Sequence, residues 1–192
     1  WGQLKQIDFP DAIGILDSAI ENKIFPGAQV FISKNGNIVL SDGFGQFSYD
    51  NVSPPVTTES IYDIASITKV LSITPIIMKL ISRKQLSLDQ PVYHFLPDFK
   101  GGEKENVTIR HLLTHSSGIK SYHRFFLEEN FTDREDVLSE IIAMDLEFQP
   151  GSQFSYSDLG MMLLMEIAEK VSHHSLNYMT KSWLYTPLRM SL

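Results

Sequence analysis

The chain has 192 residues, of which 43% are hydrophobic and 20% charged, a composition typical of a globular chain with one substantial core. Its net charge of −7 at pH 7 is spread along the chain without a basic stripe, so we predict no nucleic-acid partner. It has no cysteine, which excludes disulfides and thiolate metal sites, and no apolar run is long enough to span a bilayer.

The amino-terminal part of the sequence predicts one helix followed by a β-hairpin. Apolar residues recur at helical spacing from Ile13 to Ile20, and the helix should end near residues 25–27. Two β-rich runs, Ala28 to Lys34 and Ile38 to Ser41, flank the dipeptide Asn35-Gly36, a strong signal for a two-residue hairpin turn. Because a two-stranded hairpin is marginal alone, we expect further strands or a helix to cover it.

A long polar loop and then helices are predicted for the rest of the chain. The loop includes Gly43, Gly45 and the segment from Tyr49 to Ser60. The first helix after it is apolar around most of its circumference, which predicts burial, and Pro75 should kink it. The predicted helices run from Ser66 to Ile81, from Thr108 to Leu113, from a capping box at Thr132 and Glu135 to Met144, from Leu159 to about Val171, and from Ser175 to Leu184.

The start of the first of these helices carries a candidate nucleophile. Lys69 lies one helical turn from Ser66, so its amine can reach the serine hydroxyl, which needs such a partner to react. The helix amino terminus also favours an oxyanion formed beside it. The competing interpretation is an N-cap serine with a surface lysine. A second match to the same spacing, Ser117 to Lys120, is disfavoured because Gly118 at a helix end would break the one-turn geometry.

A tyrosine before the fourth helix provides a second candidate. Tyr156-Ser157-Asp158 follows the turn at residues 149–151, and a phenol near a lysine ammonium can have its pKa lowered towards phenolate and share proton transfer. A structural tyrosine beside an N-cap is the alternative. Tyr49-Asp50-Asn51 is a formal rival in the polar loop, and we discount it. The histidines form no recognised ligand pattern, so we predict neither a metal nor a cofactor.

Three segments together resemble a known family. They are Ser66-Ile67-Thr68-Lys69 for an S-x-x-K motif, Tyr156-Ser157-Asp158 for a Y-x-N motif, and the connecting segment His111-Leu112-Leu113-Thr114-His115-Ser116-Ser117-Gly118. With these, the chain resembles serine β-lactamases and penicillin-recognising enzymes, in particular the branch of class C β-lactamases, esterases and D-alanyl-D-alanine carboxypeptidases. The resemblance runs from about Phe25 to Met190.

The resemblance implies a fold, an activity and roles for four residues. The fold would be α+β and β-lactamase/transpeptidase-like, with helix and hairpin in residues 1–60 and an all-helical part in residues 61–192. Ser66 would form an acyl-enzyme with an amide, lactam or ester of a small molecule or peptide, while Lys69 and Tyr156 shuttle its proton. Asp158 would bind substrate where the family usually has asparagine, or couple to Lys69. A periplasmic or secreted location is also implied.

The sequence lacks one motif that members of the family have. The family's third motif, K-T-G or H-x-G on a strand, supplies the second oxyanion-hole amide, and the sequence contains neither it nor the strands that should join the hairpin. We therefore expect the chain to be the amino-terminal portion of one β-lactamase-like domain, nearly inactive alone. A missing carboxy-terminal segment or a second chain would complete the sheet. The alternative is a non-catalytic β-lactamase-like module of a larger protein.

Overall fold

A computed structural model of the chain describes residues 9–190. The polypeptide forms two compact units, Trp1–Asp63 and Ile64–Leu192. Helix α1 (Pro10–Glu21) and strands β1 (Gly27–Lys34) and β2 (Asn37–Gly45) lie in the first unit. The second unit contains a π-helical turn, Lys69–Ile73, and the helices α2 (Thr74–Ser82), α3 (Ile109–Leu113), α4 (Arg134–Ala143), α5 (Asp158–Ser172) and α6 (Leu176–Met179), with a second π-helical turn at Thr180–Tyr185. That residues 1–192 belong to one domain stays a prediction.

The predicted hairpin is confirmed, and its second strand is longer than expected. Strands β1 and β2 pair antiparallel, and Asn35 and Gly36 both have positive φ angles, 53° and 76°, as a type I′ turn requires. The prediction that a loop starts at Gly43 is wrong, because β2 continues to Gly45. A Cβ at residue 43 would meet the Val56 carbonyl, so glycine here allows close backbone approach rather than ending the strand.

The helix predicted from Ser66 to Ile81 differs from expectation in its first half. Pro75 lies in the first turn of α2, and the residues before it form a π-helical turn in which Thr74 N–H donates to the Lys69 carbonyl. The missing proline amide is therefore accommodated by a change of helix type. Burial around most of the circumference is also wrong here, because Ile67 and Val70 are 54% and 59% exposed.

Helix α5 is the centre of the second unit. It contacts α2, α3, α4 and α6, and its apolar residues recur at helical spacing, so one stripe of the helix is buried. Each fully buried leucine or isoleucine contributes about 1.5–3 kcal/mol of hydrophobic free energy. The fully buried side chains of the unit include Ile76, Ile77, Leu80, Phe99, Ile109, Leu112, Ile141, Leu159, Leu163, Leu164, Ile167 and Met179. Within residues 9–190, no helix is both long enough and apolar enough to cross a bilayer.

Helix caps confirm the predicted starts at Thr108 and Ser175 and correct the one at Thr132. Thr108 caps α3 and accepts from the His111 N–H at 3.3 Å, as predicted. The capping box of α4 is shifted by one residue, from Thr132 to Asp133, whose carboxylate accepts two backbone N–H groups at 2.8 and 3.0 Å. A carboxylate that accepts two bonds at a helix amino terminus is the stronger cap, so the prediction for Thr132 is wrong.

Candidate active site

Ser66 lies in a tight turn that places it directly beside Lys69. Ala65, the preceding residue, has a positive φ of 42°, and Lys69 N–H donates to the Ser66 carbonyl at 3.0 Å. This is an i to i+3 turn, in which the side chains of residues i and i+3 nearly eclipse each other. The sequence predicted an α-helical turn here, and the tighter turn brings the two side chains closer in direction.

The four side chains predicted to form a site do come together. Lys69 Nζ donates to Ser66 Oγ at 3.0 Å and lies 2.9 Å from Asp158 Oδ1. It also lies 5.3 Å from the centroid of the Tyr156 ring. Tyr156 reaches the site because α5 begins at Asp158, directly after the Ser157 N-cap. The ammonium of Lys69 therefore lies among a hydroxyl, a phenol and a carboxylate.

Lys69 and Asp158 form an ion pair that is mostly shielded from water. The side chains are 19% and 34% exposed, and Asp158 Oδ1 itself is enclosed. The two atoms lie within ion-pair distance, although their orientation is not that of a straight hydrogen bond. Burial lowers the pKa of Lys69, but the contacts with Asp158 and Tyr156 outweigh it and leave that pKa above its ordinary value. Lys69 is therefore an ammonium at neutral pH.

The phenol of Tyr156 is shifted in the opposite direction. Its hydrogen bond with Ser66 and then its hydrogen bond with Lys69 lower the pKa of Tyr156 most, and the Lys69 charge lowers it further, whereas burial and the Asp158 charge act in the opposite direction. A phenol with a lowered pKa is a better proton acceptor near neutral pH than an ordinary tyrosine. With Tyr156 41% exposed, a substrate has access to the group.

The second S-x-x-K match has a different geometry. Ser117 is 2% exposed, and its Oγ accepts from Ile119 N–H at 3.3 Å. Gly118 has a positive φ of 83°, and residues 117–120 contain no helical turn. The prediction that Gly118 breaks the one-turn geometry is confirmed.

One neighbour of Tyr156 was not identified from the sequence. The His115 ring lies 4.6 Å from the Tyr156 ring, centroid to centroid. His115 is one of the histidines that form no recognised metal-ligand pattern, and it lies in the connecting segment without a predicted role in the site. The sequence feature that could have identified His115 is its position in the connecting segment. Across residues 9–190, no three histidine, aspartate or glutamate side chains group in a way that could hold a metal ion.

The family model that matches the chain is Beta-lactamase, over residues 15–191. "Protein flp" of Staphylococcus aureus strain MRSA252 is 35% identical over 189 residues, which cover 92% of this chain and 37% of the relative. "N-acetylmuramyl-L-alanine amidase" of Bacillus subtilis strain 168 is 29% identical over 195 residues, covering 91% of this chain and 44% of that protein. The chain thus spans less than half the length of these relatives.

Solved structures share the fold. The octameric penicillin-binding protein homologue from Pyrococcus abyssi is 34% identical with a TM-score of 0.80, over 96% of this chain and 44% of that one. Class C β-lactamases match at 22–23% identity with TM-scores of 0.78–0.79, over 93–94% of this chain and 48–49% of theirs. The chain therefore belongs to the beta-lactamase family and has the β-lactamase/transpeptidase-like fold that the sequence predicted.

Proposed function

We propose that Ser66 is the nucleophile of a serine acyl hydrolase. The observation that carries the proposal is the 3.0 Å contact between Ser66 Oγ and Lys69 Nζ, within a cluster that also contains Tyr156 and Asp158. A serine hydroxyl is a weak nucleophile unless a neighbouring group removes its proton, and this cluster offers such a group. The family membership supports the same chemistry.

Tyr156 is the better proton acceptor of the two candidates. Lys69 holds its proton at neutral pH because its pKa is raised, so it has no free lone pair to offer. The Tyr156 phenolate accepts the Ser66 proton as Oγ attacks the substrate carbonyl carbon and an acyl-oxygen bond forms. The Tyr156 phenol then returns that proton to the leaving group as its bond to the acyl carbon breaks. Water releases the acyl group in a second cycle of the same steps.

The oxyanion formed in this step needs donors. The Ser66 backbone N–H, next to the positive end of a helical turn, is one. We propose that a second amide comes from residues outside the present chain, either a further segment of a longer protein or a second chain. The lengths of the relatives support this, because the chain spans 37–44% of them. Losing one such donor costs about 10²–10³ in rate, so the present chain alone would be nearly inactive.

The proposed substrate is an amide or lactam of a small molecule or peptide. The name of the Bacillus relative, an amidase, supports cleavage of a carbon–nitrogen bond. An ester would react by the same steps, with an alcohol as the leaving group.

Covalent labelling of the full-length protein tests the proposal. A fluorescent penicillin and a fluorescent phosphonate should each label the wild-type protein, and Ser66→Ala should abolish labelling. Ser117→Ala is the matched control, because it removes the serine of the other S-x-x-K match, and it should label like the wild type. Wild-type protein that is folded and labelled by neither probe would overturn the proposal and favour a non-catalytic β-lactamase-like module.

A further inference from the structure

The connecting segment quoted from the sequence holds the loop that carries Tyr156. Backbone N–H groups of that loop donate to three carbonyls of the segment: Ser155 to His115 at 2.9 Å, Gly151 to Ser116 at 2.7 Å, and Glu147 to Gly118 at 2.7 Å. We refer to residues 115–121 as the clamp segment and to residues 147–158 as the tyrosine loop. The hydrogen bonds between them resemble a short ladder, although neither stretch is a strand.

His115 contacts the tyrosine loop on both sides of Tyr156. Its carbonyl accepts from Ser155 N–H, and its ring Nδ1 accepts from Ser157 N–H at 3.1 Å. Its ring lies against the Tyr156 ring. His115 therefore holds the residues on both sides of Tyr156 and also contacts the phenol ring itself.

Other clamp residues complete the arrangement at the end of the loop. Ser121 Oγ donates to the Tyr156 carbonyl at 2.5 Å, and the Ser121 carbonyl accepts from Asp158 N–H at 2.8 Å. Ser157 Oγ donates to the Lys120 carbonyl at 2.9 Å and accepts from the Gly160 N–H in the first turn of helix α5. The backbone of Tyr156 and its neighbours is therefore fixed at every residue from Ser155 to Asp158.

His115 can serve this purpose only as a neutral ring. Nδ1 accepts a hydrogen bond, so the ring proton must be on Nε2. The charged groups that face the ring are Lys69 and Asp158, and the phenol of Tyr156 and the ring of Phe154 contact it. Burial and then the Lys69 charge lower the pKa of His115, against the opposing effect of Asp158. The lowered pKa favours the neutral ring that this hydrogen bond requires.

We propose that His115 is a positioning residue that holds the Tyr156 phenol within reach of Ser66 and Lys69. The inference rests on the proposed function of Ser66, Lys69 and Tyr156, and it adds a residue that acts on the reaction through Tyr156. It gives the connecting segment a role in the site: its histidine fixes the proton acceptor, and its carbonyls fix the loop that carries it.

Two substitutions separate the contacts of His115. His115→Phe keeps an aromatic ring against Tyr156 and removes the acceptor for Ser157 N–H. His115→Asn keeps an acceptor near the Nδ1 position, removes the ring, and suits the positive φ of 54° at this residue. The matched control is His174→Phe. His174 also lies against a tyrosine, with 4.6 Å between the centroids of its ring and the Tyr178 ring. It follows the carboxy-terminal end of α5, whereas Tyr156 precedes the amino-terminal end.

The first readout does not depend on catalysis. In full-length protein with 13C-labelled tyrosine, the Cζ resonance of Tyr156, assigned with Tyr156→Phe, reports the pKa of its phenol. We expect His115→Phe to raise this pKa towards the ordinary tyrosine value, because the phenol moves away from Ser66 and Lys69, and His115→Asn to raise it less. His174→Phe should leave it unchanged. Because the His115 ring that accepts from Ser157 N–H is the neutral form, its replacement by phenylalanine or asparagine removes no charge beside the phenol.

The second readout is the rate of covalent labelling. Misplacement of a catalytic group by about 1 Å costs roughly 100-fold, so we expect His115→Phe to slow acylation by about 10- to 100-fold and His115→Asn by less. A folded His115→Phe protein with wild-type Tyr156 pKa and wild-type labelling rate would overturn the inference. If His115→Phe fails to fold, His115→Asn decides, and an unchanged phenol pKa in that variant would overturn it as well. A shifted phenol pKa in a protein that no probe labels would support the positioning role and overturn the proposed function alone.

Discussion

The two S-x-x-K stretches have the same spacing of serine and lysine and different local structures. Ser66 and Lys69 lie on one tight turn with their polar atoms 3.0 Å apart, whereas Ser117 is buried and Lys120 is exposed. Lys69 is paired with Asp158, and within residues 9–190 no carboxylate pairs with Lys120. The difference comes from the backbone: Ala65 and the i to i+3 turn bring one pair together, and Gly118 separates the other. The S-x-x-K spacing therefore brings serine and lysine into contact only where the backbone directs both side chains to the same face.

The largest expected effect is on the acylation rate, when the Tyr156 phenol beside Ser66 and Lys69 is removed. Tyr156→Phe removes the phenolic oxygen and leaves the ring, so we expect the acylation rate of full-length protein to fall by about 10²–10⁴. Tyr178→Phe is the control, because Tyr178 is 50% exposed and lies against His174 rather than in the cluster. Stopped-flow measurement of phosphonate labelling checks it. A fall of less than threefold would show that Tyr156 does not accept the serine proton.

The second-largest expected effect is a loss of folding stability when Gly118, in the second S-x-x-K stretch, is replaced. Gly118→Ala places a Cβ at a residue with φ of 83° and against the Phe148 carbonyl, so we expect a loss of about 2–4 kcal/mol in the free energy of unfolding. Gly160→Ala is the matched control in the same unit, since its Cβ would meet only ordinary contacts at 3.4 Å or more within a helix. Urea denaturation measures both. Equal midpoints would show that the clamp segment tolerates a side chain at residue 118.

The smallest effect concerns the charge of Lys69. Asp158→Asn removes the carboxylate that raises the pKa of Lys69, while burial still lowers it, so we expect that pKa to fall. The Lys69 charge stabilises the folded state below the unfolded value near 10.5, and that stability is lost as pH rises through the folded pKa. In the variant this contribution is smaller, and its loss is complete at a lower pH. At neutral pH the change in unfolding free energy should be below about 1 kcal/mol.

The Cε resonance of Lys69, assigned with Lys69→Arg and followed with pH in 13C-labelled protein, measures this directly. Asp89→Asn is the control, because it breaks a different ion pair, Asp89 with Arg110 at 2.9 Å, without contacting Lys69. A Lys69 titration that is the same in Asp158→Asn and wild type would show that the ion pair does not set the charge of the site.

Sequence patterns predicted the fold where local chemistry decides it. Asn35-Gly36 fixed the hairpin turn, and Thr108 and Ser175 marked helix starts, because turn and cap preferences are local. The π-helical turn before Pro75 was missed, since helix type there depends on how the chain packs around a missing amide. The continuation of β2 through its glycines was missed because those residues allow close backbone approach, which spacing alone does not reveal.

The sequence predicted the reactive side chains of the candidate site, but not the residue that holds one of them in place. Ser66, Lys69, Tyr156 and Asp158 were chosen for their chemistry, and the structure brings them together. His115 was not, because its contacts reach across 40 residues of sequence to the loop around Tyr156. Catalytic roles for the four residues, and a periplasmic or secreted location, stay predictions.

The most direct test of the central claim is the site of the covalent adduct. Full-length protein is treated with a phosphonate probe and digested, and the modified peptide is sequenced by mass spectrometry. The account predicts a single adduct on Ser66, with Ser117 unmodified in the same sample. An adduct on Ser117 or on another residue, with Ser66 unmodified, would contradict it.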